Sequence, residues 1–138
     1  MTDTISADRR SANMRRIRAK DTKPELIVRR LVHGLGYRYR LHRKDLPGKP
    51  DLVFGSRRKV IFVHGCFWHQ HPDPNCVDSR RPKSNSAYWN EKLDRNVTRD
   101  AEHLRYLTKL GWEVLVIWDC ELRAQDALQS KLVAFLDR

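Results

Sequence analysis

Asp51-Leu-Val-Phe-Gly-Ser-Arg-Arg-Lys-Val-Ile-Phe-Val63 is two short apolar runs around a Gly-Ser-Arg-Arg turn. Runs of β-branched and aromatic residues bounded by turn residues read as strands, and so short a turn joins antiparallel neighbours, which predicts a hairpin. With its midpoint near residue 57, Asp51 falls opposite Val63. Further on, Trp112-Glu-Val-Leu-Val-Ile-Trp118 is a nearly continuous apolar strand, the pattern of a sheet covered on both faces. Between them the sequence predicts a helix over about 87–110. Its Trp89, Leu93, Val97, Ala101, Leu104 and Leu107 recur at three- and four-residue steps, and Gly111 ends it. A strand, a helix and a strand in this order predict a right-handed parallel crossover, so the strands ending at Val63 and Trp118 point the same way.

The flanks complete the sheet's cover. Thr22-Lys-Pro-Glu25 reads as a capping box with Pro early in the helix. The apolar face Leu26, Ile27, Val28, Leu31, Val32 and Leu35 follows, and Gly34 and Gly36 close it. Tyr37-Arg-Tyr-Arg-Leu41 alternates with period two, a strand pattern. A last helix over about 124–137 carries Leu128, Leu132, Phe135 and Leu136, and Ser11 to Lys20 has the makings of a short basic helix. The class expected is α/β, a mixed central β-sheet flanked by helices. In open α/β sheets sites gather beyond the carboxyl ends of the parallel strands. That edge collects Asp51, His64, Cys66 and Cys120.

The chain has 138 residues, 40% of them apolar and 33% charged, which suits one domain with a real core. No apolar run approaches the ~20 residues of a membrane helix. Met1 to Arg10 lack the apolar block of a secretory signal, so the cytosol is the expected compartment. The net charge of +11 is uneven: residues 1–59 hold 17 basic and 6 acidic side chains, and residues 60–138 hold 11 of each. Of the 28 cations 19 are Arg, whose planar fork suits phosphate, so a polyanion such as nucleic acid is the expected partner. A merely soluble basic protein is the plain alternative.

Residues 64–76 read His-Gly-Cys-Phe-Trp-His-Gln-His-Pro-Asp-Pro-Asn-Cys. Three cysteines, an odd number, do not make a disulfide framework. Cys66, His71, Cys76 and Cys120 would instead give three thiolates and one imidazole, a closed shell for structural zinc. Such a cross-link would fix the polar loop 64–86 to the sheet; the alternative is buried strand-end thiols and a surface histidine. His64 and His69 remain for proton transfer near neutral pH, or for hydrogen bonding within a loop. Asp51, after Pro50, can hold Mg2+ against a phosphate, or can be a turn residue.

Pro50-Asp51 and Val60-Ile-Phe-Val-His-Gly-Cys-Phe-Trp-His69 together resemble the very-short-patch-repair (Vsr) DNA mismatch endonucleases. Ser11-Ala-Asn-Met-Arg15, Leu46-Pro-Gly-Lys-Pro-Asp51, Trp89-Asn-Glu-Lys92, Asn96-Val-Thr-Arg-Asp100 and Leu110 to Trp118 fit as well. The resemblance spans about residues 8–125. It implies a fold like the type II restriction endonucleases and a bacterial, cytoplasmic, monomeric enzyme. Its substrate would be double-stranded DNA, nicked 5′ to the T of a T:G mismatch left by 5-methylcytosine deamination, with repair-pathway proteins as further partners. It implies a flexible basic segment over 1–20 that contacts DNA and one endonuclease domain over 21–138.

By the same resemblance Asp51 and the backbone carbonyl of Val63 ligate a catalytic Mg2+. His69 is the general base, His64 a second essential histidine, and Glu25 and Asp100 supporting carboxylates. Cys66, His71, Cys76 and Cys120 ligate structural Zn2+. Phe67, Trp68 and Trp89 wedge into the base stack, Met14 enters from the minor groove, and Lys92 and Asn96 lie near the mismatched pair. Apolar wedges unstack and bend DNA, and a mismatched step resists less; for Trp89 and Met14 core packing is the alternative. The chain departs from the family pattern in its longer His71–Cys76 interval and in Val63, where Thr can stand. Phe62-Val-His64 also replaces the Glu/Asp-x-Lys of restriction nucleases, which assigns activation to histidine. Two other readings compete: a non-catalytic zinc module that binds distorted DNA, and a general restriction-like nuclease.

Overall fold

The computed structural model describes residues 22–41 and 43–138. The expected basic helix 11–20, the DNA-contacting segment 1–20 and Met14 lie outside the described residues.

Thr22 caps the first helix, α1 (Lys23–Gly34), its side chain accepting the Glu25 amide at 3.4 Å, and Pro24 sits in the first turn. Strands β1 (Arg40–Leu41), β2 (Leu52–Phe54) and β3 (Lys59–His64) follow, then a one-turn helix α2 (Cys66–His69) and a 3-10 turn at Val77–Ser79. Helix α3 (Ser86–Lys109) leads to β4 (Glu113–Trp118), a 3-10 turn at Asp119–Arg123 and helix α4 (Gln125–Asp137). The sheet order is β1-β2-β3-β4. The first two pairings are antiparallel and β3 runs parallel to β4, with His64 beside Trp118.

The alternation read from the sequence builds two cores. Leu52, Phe54, Ile61 and Ile117 face α1 and α4, meeting Val28, Val32, Leu128, Leu132, Phe135 and Leu136. Val53, Val60 and Phe62 face the other way, against Leu107, Trp112 and Leu46. Helices therefore cover both faces, as a parallel pair flanked by crossovers requires.

Three expectations need correction. Phe54 pairs with Lys59 and Leu52 with Ile61, so the hairpin centre lies between residues 56 and 57 and Asp51 falls opposite Phe62, not Val63. Only Arg40 and Leu41 of the expected strand 37–41 join the sheet. On α3 the apolar stripe is buried at Leu93 and Leu107, while Val97 is 41% exposed and Ala101 is exposed. A 24-residue helix is ~36 Å long, whereas a six-residue strand covers ~20 Å. The N-terminal half of α3 therefore overruns the sheet and packs on α2.

The β2–β3 turn grips two helix ends. Lys59, 3% exposed, donates to the carbonyls of Phe135 and Arg138, both at 2.6 Å, and Arg57 to that of Leu136 at 2.7 Å. Arg58 donates to the Leu110 carbonyl at 2.7 Å. Cations here satisfy carbonyls that a helix C-terminus leaves without partners.

Candidate active site and metal centre

The carboxyl ends of β3 and β4 deliver His64 and Trp118 side by side, and α2 carries His69 back over His64. The two imidazoles stack with centroids 3.8 Å apart and planes 6° from parallel. From α3, Asp100 Oδ2 meets His69 Nδ1 at 2.6 Å. A carboxylate there accepts the Nδ1 proton, which leaves Nε2 as the ring's free basic atom. Burial pushes Asp100 up, but the His69 bond and the charges of His69, His64 and Arg99 outweigh it and hold the carboxyl below its usual range. Burial lowers His64 to about 3, with His69 and His103 adding to the depression and Asp100 opposing it. His64 is thus a neutral ring at physiological pH.

Asp51 enters from the head of β2. Its Oδ2 accepts the Val63 amide at 2.6 Å, and the residue is 8% exposed. Burial raises its carboxyl to about 7; the Val63 amide opposes this, the Glu25 carboxylate adds to it, and Arg29 opposes it. Glu25, also buried, bonds Arg29 Nη2 at 3.2 Å. Two buried carboxyl groups at one place either share a proton or hold a cation between them. Among the described residues, His64, His69 and Asp100 bring their ligand atoms within 4.8 Å of one another, and Asp51 stands outside that set, paired with Glu25 instead.

The second cluster is Cys66, His71, Cys76 and Cys120, whose ligand atoms also all lie within 4.8 Å of one another. His71 Nδ1 is 3.7 Å from Cys66 Sγ and 3.4 Å from Cys120 Sγ, and the three thiols are free of disulfides. A tetrahedral zinc with ordinary bond lengths separates its sulfur and nitrogen ligands by about 3.5 Å. The donor set and spacing therefore fit structural zinc. The Pro72-Asp-Pro-Asn75 interval does not keep Cys76 away from its partners. Burial pushes the Cys66 thiol up, and a divalent cation would offset that cost of ionisation. The His71 ring stacks on Trp118 with centroids 4.5 Å apart, and Asp119 Oδ1 accepts the Cys66 amide at 3.4 Å.

Next to both clusters, Phe67, Trp68 and Trp89 form a mutual aromatic group with centroids 5.1 to 6.0 Å apart. All three are only half-buried, so Trp89 leaves the core stripe that its spacing suggested. Lys92 lies over the rings of Trp68 and Tyr88 at 5.7 and 5.9 Å. Asn96 gives its amide to the Trp68 carbonyl at 3.0 Å. The sequence reading missed Arg81, which braces the metal-cluster loop through Gln70, Asn90 and Asp94. It also missed His103, although helical spacing from Asp100 points to it.

The fold is similar to that of the homing endonuclease I-Bth0305I catalytic domain, with a TM-score of 0.58 at 21% identity over 83% of this chain and 94% of that one. The family model for DNA mismatch endonuclease Vsr matches residues 2–75. The type II nicking enzyme V.XorIIP of Xanthomonas oryzae pv. oryzae is 50% identical over 99% of this chain and 98% of its own. The DNA mismatch endonuclease Vsr of Escherichia coli K12 is 41% identical over 95% of this chain and 82% of its own. The chain belongs to the Vsr DNA mismatch endonuclease family and is a DNA endonuclease.

Proposed function

We propose that the protein nicks double-stranded DNA 5′ to the T of a T:G mismatch and so starts the repair of deaminated 5-methylcytosine. The observation that carries the hydrolytic part is the Asp100–His69 bond stacked on His64 beside a buried Asp51. His69 Nε2 takes the proton of the attacking water, and Asp100 steadies the ring and the positive charge it gains. His64 is neutral and holds the His69 plane. Asp51 and the Val63 carbonyl are the groups that would hold Mg2+, with Glu25 as a supporting carboxylate beside them. Bound there, that ion would supply charge stabilisation to the phosphate under attack.

Cys66, His71, Cys76 and Cys120 would hold Zn2+ and tie the loop to both parallel strands. Phe67, Trp68 and Trp89 present a half-exposed apolar wedge, and a wobble pair is cheaper to unstack than a paired step. Lys92 flanks that wedge, and the basic segment 1–20, with Met14, adds contacts to the duplex. The relatives, a nicking enzyme and a mismatch endonuclease by name, support the same reading. A non-catalytic zinc module would leave the His69–Asp100 pair idle.

The test is nicking of end-labelled T:G and fully paired duplexes, with Mg2+ or with EDTA. The reading expects one nick, on T:G, with Mg2+ only. Equal cutting of the paired duplex would reduce it to a general nuclease, and undiminished nicking by Asp51→Ala would remove Asp51 from the site.

A further inference from the structure

His103 is an imidazole near the His64–Asp100 group, and the proposed reaction gives it no work. It follows Asp100 by three residues on α3, a spacing that puts both on one face of the helix. Its ring packs on the turn Leu46–Pro50. A Cβ built on Gly48 would lie 3.0 Å from His103 Cβ, Cγ and Nδ1, and Gly48 has φ +77. The same turn is closed by Lys49 N–H donating to the Leu46 carbonyl at 3.1 Å and runs straight into Asp51. The ring is also near enough to His64 for a charge on it to bear on that residue. His103 thus packs on the loop that delivers Asp51 and shares the helix face that carries Asp100.

The neighbouring polar groups are engaged within the protein: His69 by Asp100, and Asp51 by the Val63 amide. His103 is half-buried, and no group among the described residues hydrogen-bonds its ring. Neither ring nitrogen is a buried atom lacking a partner, so both reach solvent. A half-fixed donor open to solvent, beside a site that works on a phosphodiester, faces a chain of phosphates. Phosphate contacts are how such proteins set the register of a strand.

We propose that His103 is a further substrate-binding residue, donating a ring N–H to a non-bridging phosphate oxygen of the nicked strand close to the scissile linkage. The inference rests on this edge being the nicking site. A neutral imidazole already carries one N–H, so the contact needs no added proton.

A cycle between protein and DNA tests it. Each linkage within about three of the nick, the scissile one excepted, is replaced in turn by a neutral methylphosphonate. Wild type, His103→Ala and His103→Asn are compared on each duplex by KM and kcat. His103→Ala should raise KM about tenfold and change kcat little, the loss expected for a hydrogen bond to a charged acceptor. One neutral linkage should cost wild type that same factor and cost His103→Ala nothing. Asn keeps a donor and should fall between the two. If alanine upsets the Gly48 turn, asparagine carries the comparison. Equal cost at every linkage for wild type and variants overturns the proposal, as does a loss confined to kcat. The cycle is read on whichever duplex wild type nicks. Loss of T:G preference would strike the mismatch reading, while coupling at one linkage decides His103 either way.

Discussion

Asp100→Asn separates the charge of the residue from its shape. The carboxylate is 2.6 Å from His69 Nδ1 and its side chain is 17% exposed, so water screens the pair only in part. When His69 takes a proton at Nε2, the new cation faces Asp100 across that bond. A hydrogen bond to a charged partner is worth about 1.5–3 kcal/mol, and two charges ~4 Å apart at an effective dielectric of ~20 attract by ~4 kcal/mol. Losing the charge therefore removes roughly 2–4 kcal/mol from the transition state, a slowing of about 30- to 1,000-fold. The asparagine also weakens tautomer control, because its amide can donate to Nδ1 and leave the proton on Nε2. Single-turnover nicking of a T:G duplex at saturating Mg2+ measures the effect. The rate should fall about 100-fold, with half-saturation by DNA changed less than about threefold and a melting temperature close to wild type. A rate within threefold of wild type, or a loss entirely in binding, would refute His69 as the base supported by Asp100.

Asp51→Asn should stabilise the Mg2+-free protein, increasingly as pH rises. The native Asp51 carboxyl keeps its proton to about 7 and the unfolded one releases it near 3.8, so folding is disfavoured progressively across that window. The stability gap between variant and wild type should widen by about 2 kcal/mol from pH 5.5 to 8 in urea denaturation; a constant gap refutes the raised carboxyl. Cys120→Ser should lose bound zinc, counted by elemental analysis, and with it much of a stabilisation on the order of 10 kcal/mol. One zinc retained at wild-type stability would deny Cys120 a place in the shell. Lys59→Met leaves the Phe135 and Arg138 carbonyls without their donor and should cost about 2–4 kcal/mol, or ~7–14 °C in a chain this size. Melting unchanged within about 2 °C would show that burying the ammonium cancels its bonds.

The sheet was legible because its central strands β2 and β3 are buried on both faces. Leu52 to Phe54, Val60 to Val63 and Val114 to Trp118 are apolar without a break, and a helix-length polar segment between two of them forces the crossover. The register lies one residue from that expected, because nothing in Gly55-Ser-Arg-Arg58 shows that Phe54 already pairs with Lys59. The Cys/His cluster was legible through strand topology more than spacing, since Cys120 reaches it only if β3 and β4 are parallel neighbours. The stripe on α3 misled at Val97 and Ala101, for periodicity reports a face and not how far the sheet beneath it extends. Glu25 reads as a capping residue, whereas its carboxylate is buried with Arg29 and Asp51. A lone histidine such as His103 carries no spacing signal until Asp100 is known to matter.

The turn at residues 57–59 also bears on how the duplex is held. Arg57, Arg58 and Lys59 each end on a main-chain carbonyl at the foot of a helix, so their positive ends answer the protein's own dipoles. Cations so occupied release few counterions when DNA arrives, and the dependence of affinity on salt counts only those that do. The slope of log affinity against log salt should therefore be shallower than a formal charge of +11 suggests.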